Sequence, residues 1–135
     1  MSAAGPEQPL EIEVLGPSRV PLEEIERLLL LALGSGGIEH GHVAVEFVSA
    51  ERIAELNSAH RGKRGPTDVL SFPIDGIEPS PGPRELGDIV ICPEHTADLR
   101  EAIVHGALHL TGMDHETDDG EMLAVQREIM AWVTP

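Results

Sequence analysis

Aromatic residues are nearly missing from this 135-residue chain, which has no tyrosine, one tryptophan and two phenylalanines, so Leu, Ile, Val and Ala must build its core. Cysteine occurs once, as Cys92. A lone cysteine excludes an internal disulfide framework and fits a reducing cytosol. The strand-like surroundings of Cys92 predict an inert buried thiol rather than a nucleophile. Positive charge is also scarce: nine Lys plus Arg stand against 24 Asp plus Glu, a formal net charge of -15. Such a field repels polyanions and argues against sequence-independent capture of nucleic acid, DNA included. The longest aliphatic run, Leu28 to Leu33, is far too short to cross a bilayer. The N-terminal residues carry no positive segment followed by an apolar one, so no membrane partner and a cytoplasmic location are expected.

What the chain does have is a cluster of histidines near its C-terminus, in the stretch His105-Gly-Ala-Leu-His109-Leu-Thr-Gly112-Met-Asp114-His115. Residues four apart share one face of a helix, so His105 and His109 can aim two imidazoles at one ion. Gly112 is placed to end that helix in a left-handed conformation, letting the chain turn back so that His115 supplies a third nitrogen. Three protein ligands leave a coordination position open, the arrangement of catalytic rather than structural zinc, and one Zn2+ per chain is expected. The segment Leu99 to Leu110 is apolar around most of its circumference and reads as a buried helix, where unpaired imidazoles would be costly. The spacing is that of the metzincin peptidases. Gly106 stands where those enzymes place the glutamate that acts as base, so the ligands are present and the peptidase base is not.

Hydrophobic periodicity predicts one domain over residues 10–135 after a mobile tail at 1–9. Leu10 to Leu15 alternates as a half-buried strand, and Pro21 opens a helix running to Leu33 and stopped by Gly34 to Gly37. His42 to Val48 reads as a second strand, followed by a helix from Ala50 to His60 capped by Ser49. A loop at Arg61 to Pro66, a strand at Val69 to Ile74, a surface loop at Gly76 to Pro83 and a strand at Asp88 to Cys92 come next. Pro93 is expected to open the histidine helix, and Asp118 or Asp119 a last amphipathic helix through Met122, Val125, Ile129 and Trp132. The order β-α-β-α-β-β-α-α implies an α+β fold, a small mixed sheet of about four strands packed with helices, with a zincin-like metal site at the end of a buried helix. Arg52, Arg61, Lys63 and Arg64 fall within thirteen positions and form a basic patch on the acidic chain, or else a solvated loop. His40, His42, His60 and His95 read as structural or exposed, since no spacing ties them to the motif.

Three separated stretches resemble one family in order and spacing: Asn57 to Arg61 with Thr67-Asp-Val-Leu-Ser-Phe-Pro73, then Leu86-Gly-Asp-Ile-Val-Ile-Cys92, then His105 to His115. They are similar to YbeY proteins, bacterial cytosolic metalloproteins described as single-strand-specific endoribonucleases. The resemblance implies action in 16S rRNA 3′-end maturation and ribosome quality control, with single-stranded RNA, the small ribosomal subunit and ribosomal or assembly proteins as partners. It also implies that His105, His109 and His115 are zinc ligands and that Arg61 is important for activity. The chain departs from the family in a shorter segment between Cys92 and His105, from which a later helix start and a missing cleft wall are expected, and in Met113, where an aromatic is common.

On this reading zinc activates water or polarises a phosphoryl oxygen, and the planar fork of Arg61 holds the scissile phosphate. Asp68, Asp114 and Glu116 are candidate assistants for proton transfer. Each has another reading: Asp68 as a turn former, Glu116 as an exposed acid, and Asp114 as an orienting partner of His115, which is the favoured role because metal-bound histidines usually give their other N–H to such a group. A second reading, a zinc-stabilised ribosome-assembly or RNA-binding factor without hydrolysis, draws on the missing base and the charge of -15.

Overall fold

The computed structural model describes residues 10–74 and 84–133; the tail expected at 1–9 and the loop expected at Gly76 to Pro83 lie outside them. Strands are β1 (Leu10–Leu15), β2 (Gly41–Phe47), β3 (Val69–Pro73) and β4 (Glu85–Ile91), and helices are α1 (Leu22–Ser35), α2 (Ala50–Arg61), α3 (Leu99–Leu110) and α4 (Glu121–Val133). The sheet runs β1-β2-β4-β3, with β1, β2 and β4 parallel and β3 antiparallel to β4 at one end. This is the mixed four-stranded α+β arrangement that the element order implies.

Side chains alternate across a strand, so the sheet has two unlike faces. One carries Val43, Val45 and Phe47 of β2 with Ile89 and Ile91 of β4, and packs with Ile25, Leu28 and Leu29 of α1, Ile103 and Leu108 of α3 and Met122 of α4. Each fully buried Leu or Ile there contributes about 1.5–3 kcal/mol, which is how a chain poor in aromatics still secures a core. The other face has a small cluster of Ile53, Leu70, Val90 and Cys92, against which Leu56 and Phe72 pack. Cys92 is fully buried, as expected of an inert thiol.

Several boundaries shift for local reasons. Pro93 opens a short 3-10 turn, Pro93–His95, and not the histidine helix. That helix begins at Leu99, where the Asp98 side chain accepts the N–H groups of Arg100 and Glu101. A capping carboxylate outweighs proline because it satisfies two donors that would otherwise be unpaired. Asp118 does start the last turn: its carboxylate accepts from the N–H of Gly120 and of Met122, although regular helix begins only at Glu121. Strand β4 begins at Glu85, three residues before Asp88, because the parallel partner β2 extends the ladder there. Arg61 is the last helical residue of α2, not the first of a loop, since Gly62 takes φ 68° and closes the helix C-terminus.

Candidate metal centre and cleft

Helix α3 lies flush on the sheet because Gly106 has no side chain. A Cβ there would meet Cγ2 of Ile89 at 2.5 Å, and the Gly106 carbonyl accepts a hydrogen bond from Oγ of Ser71 at 3.0 Å. The position that holds the base in the metzincin pattern is therefore turned into the core. About a quarter turn round the axis the helix presents His105 and His109 to an open cleft, and after Gly112, at φ 100°, the chain returns with His115.

The three imidazoles face one another. One ring nitrogen from each lies within 4.8 Å of the other two, and ring centroids are 4.8, 5.1 and 5.4 Å apart. Two of the remaining nitrogens are committed elsewhere. His105 Nδ1 is 2.8 Å from Oε1 of Gln126 on α4, and His109 Nδ1 is 2.9 Å from the carbonyl oxygen of Met113. Both partners accept, so each Nδ1 carries the proton and each Nε2 keeps its lone pair for the cluster. Burial lowers the pKa of His109, and the neighbouring His105 lowers it further, which keeps the ring neutral as a ligand must be. A divalent ion fits this donor set: three neutral nitrogens converging from one side, two with their tautomers fixed from behind.

The cleft, about 740 Å³, is also lined by Arg61, Asp68, Asp114 and Glu116, so the structure brings every residue expected at the site to one depression. Arg61 Nη2 lies 3.7 Å from Oε1 of Glu116, an exposed pair that spans from the end of α2 to the turn carrying His115. Asp68 Oδ1 accepts the Val69 N–H at 2.8 Å and the Thr67 hydroxyl at 3.2 Å, which ties it to its immediate neighbours. Asp114 Oδ1 accepts the Glu116 N–H at 2.9 Å, and its carbonyl accepts the N–H groups of Thr117 and Asp118. Its influence on His115 thus runs through the backbone turn; no bond from its carboxylate to that ring is found among the described residues. Of the basic patch, Arg52 sits in the first turn of α2, paired with Glu55, about 13 Å along the axis from Arg61 at a rise of ~1.5 Å per residue.

Sequence reasoning missed four contributors. Gln126 occupies a core position of α4 between Met122 and Ile129, and a polar residue in an apolar stripe is the signal that could have found it. The Met113 carbonyl carries no such mark. His60 and Phe72 both line the cleft, although nothing in their spacing connects them.

Comparison with known proteins places this geometry. A family model described as Endoribonuclease YbeY matches residues 21–134. The chain is 41% identical over 132 residues to the Endoribonuclease YbeY of Rubrobacter xylanophilus, covering 90% of this chain and 95% of that one. It is 41% identical over 128 residues to the Endoribonuclease YbeY of Macrococcus caseolyticus, covering 81% and 83%. The solution structure of TM1509 from Thermotoga maritima superposes with a TM-score of 0.55 at 32% identity, covering 87% of this chain and 85% of that one. With the family model matching residues 21–134 and both relatives matched over more than four fifths of their length, the chain belongs to the YbeY endoribonuclease family.

Proposed function

We propose that the chain is a zinc-dependent endoribonuclease that cuts single-stranded RNA and acts in 16S rRNA 3′-end maturation and ribosome quality control. The observation that carries the reading is the convergence of His105, His109 and His115 in one cleft with Arg61, in a chain of an endoribonuclease family. One Zn2+ held by the three histidines would supply Lewis acidity toward water or a phosphoryl oxygen. The chain's own groups do the rest. Arg61 binds the scissile phosphate through two parallel N–H bonds and offsets charge that grows during cleavage. Its loose pairing with Glu116 at 3.7 Å is readily exchanged for a phosphate. Among the described residues Asp68 takes its hydrogen bonds through Oδ1, so Oδ2 is left to accept a proton or orient water in the cleft. Asp114 holds the turn that delivers His115.

Gly106 packs against Ile89, so no base can act from that position, and a peptidase reading has no support. Partners on this reading are the small ribosomal subunit and its assembly proteins, which would bring an acidic enzyme to RNA that its own field repels. No helix among the described residues is long and apolar enough to cross a membrane, in keeping with the cytoplasmic work proposed.

The test uses single-stranded and duplex RNA of one sequence with the zinc-loaded protein. Cleavage of the single strand alone, stopped by chelation and restored by zinc, supports the proposal. Equal cleavage of both substrates removes the strand specificity. No cleavage by zinc-loaded protein, with RNA or ribosome binding retained, favours the non-hydrolytic assembly factor instead.

A further inference from the structure

We propose that His60 and Phe72 form a corner that stacks an unpaired base of the RNA strand whose phosphate Arg61 holds, an inference that rests on the function proposed above. Aromatic surface is scarce in this chain, with two phenylalanines and no tyrosine, and one of the two phenylalanines opens onto the cleft. Phe72 lies on β3, its ring half-buried against the thin cluster of Ile53, Leu70 and Val90. His60 stands over it from the last turn of α2, ring centroids 4.9 Å apart and planes inclined at 67°. His60 itself is exposed, so its ring has a face for another partner.

A contact that merely fastens α2 to β3 would need no place in the cleft wall, yet both rings line the cavity that holds the three metal-centre histidines. His60 also directly precedes Arg61. Both residues line the cleft, so one short segment at the end of α2 offers it a flat ring and a guanidinium fork. That pairing suits one nucleotide, whose base and phosphate are joined through a single sugar. Every base has a π-face, so the contact is tolerant of sequence, and it demands that the base be free of a partner strand. Strand specificity would then arise here, in a group apart from the metal.

The experiment measures binding of zinc-loaded protein to a fluorescein-labelled, 2′-O-methylated single-stranded oligoribonucleotide, which is not cut, and to the same strand with one abasic position walked along it. His60→Ala and Phe72→Leu are expected to weaken binding of the intact strand roughly five- to hundredfold, the range of one lost base stack. His60→Phe should bind like wild type. At one abasic position wild type should lose a similar factor, and there His60→Ala should lose nothing more. Equal binding of the intact strand by wild type and His60→Ala overturns the inference, as does a loss in His60→Ala that is the same on intact and abasic strands. If wild type cleaves single-stranded RNA and these variants bind normally, the corner fails while the nuclease reading stands; if wild type neither binds nor cuts RNA, both fall.

Discussion

The two faces of the sheet are built to different standards. Behind α3 lies a continuous aliphatic layer in which Ile25, Leu28, Leu29, Leu33, Val43, Ile89 and Ile103 are fully buried. Over the opposite face α2 covers one end, its Ile53 set on the buried Leu70, Val90 and Cys92, and that face also carries a polar clasp in which His42 lies 3.2 Å from Glu13 and 2.5 Å from Glu85. The histidine cluster belongs to the thick side: its helix is pressed on the core at Gly106 and braced from α4 by Gln126. Arg61 and His60 belong to the thin side, at the end of a helix with a shallow footing. Rigid placement serves ligands that must converge within a few tenths of an ångström, while groups that grip a flexible strand tolerate more motion. The cleft is where the two regimes meet.

On the proposed function, changes on the thick side should cost stability and changes on the thin side should cost substrate handling. The largest effect is expected at Gly106→Glu, which forces a charged side chain between α3 and Ile89. It should lower stability by at least ~3 kcal/mol in urea unfolding, through overpacking and an unpaired buried charge, and should not create a base. A folded, more active Gly106→Glu protein would show that position 106 faces the cleft after all. Arg61→Ala comes next, with cleavage efficiency falling about a hundredfold or more and stability changing by less than ~0.5 kcal/mol; a matching loss of stability would erase the contrast between the two sides. Gln126→Ala should weaken zinc binding about 10- to 100-fold, by freeing the ring of His105. Competition with a chromophoric chelator measures this, and an unchanged affinity would remove Gln126 from the site.

The smallest effect concerns the polar clasp. The hydrogen bond with Glu85 raises the pKa of His42, with Glu13 adding to it and burial opposing. The charged ring is therefore favoured in the folded state. The stabilisation is fully present below the unfolded value of about 6.5 and fades as pH rises through the higher folded value. His42→Gln should cost under ~1 kcal/mol, more at pH 5.5 than at pH 8.5. A deficit that grows with pH instead would reverse the assignment.

How much of this was legible in the sequence depends on whether the signal is local. The i, i+4 spacing and the glycine after it lie within eleven residues, and they suffice to bring His105, His109 and His115 together. Strand alternation and helix periodicity likewise carry the α+β order, because burial on one face is written along each element. Pro93 misleads because proline suits a helix start, whereas the capping carboxylate of Asp98 decides where the helix begins. The reason Gly106 replaces a glutamate is invisible without Ile89, which arrives from another strand. His60 and Phe72 meet only because β3 turns antiparallel beside β4 and brings its ring beneath the end of α2. Contacts of that kind are set by the sheet's register, and a single sequence does not display it.

On the proposed function, one zinc held by three histidines makes this cleft a nuclease. The deciding measurement is zinc content and single-stranded RNA cleavage on identically purified wild type and His109→Ala, with folding checked by circular dichroism. Wild type should hold one zinc per chain and cut, while a folded His109→Ala should lose both together. Equal cleavage by the two samples, or full activity in a folded variant without metal, would contradict the account.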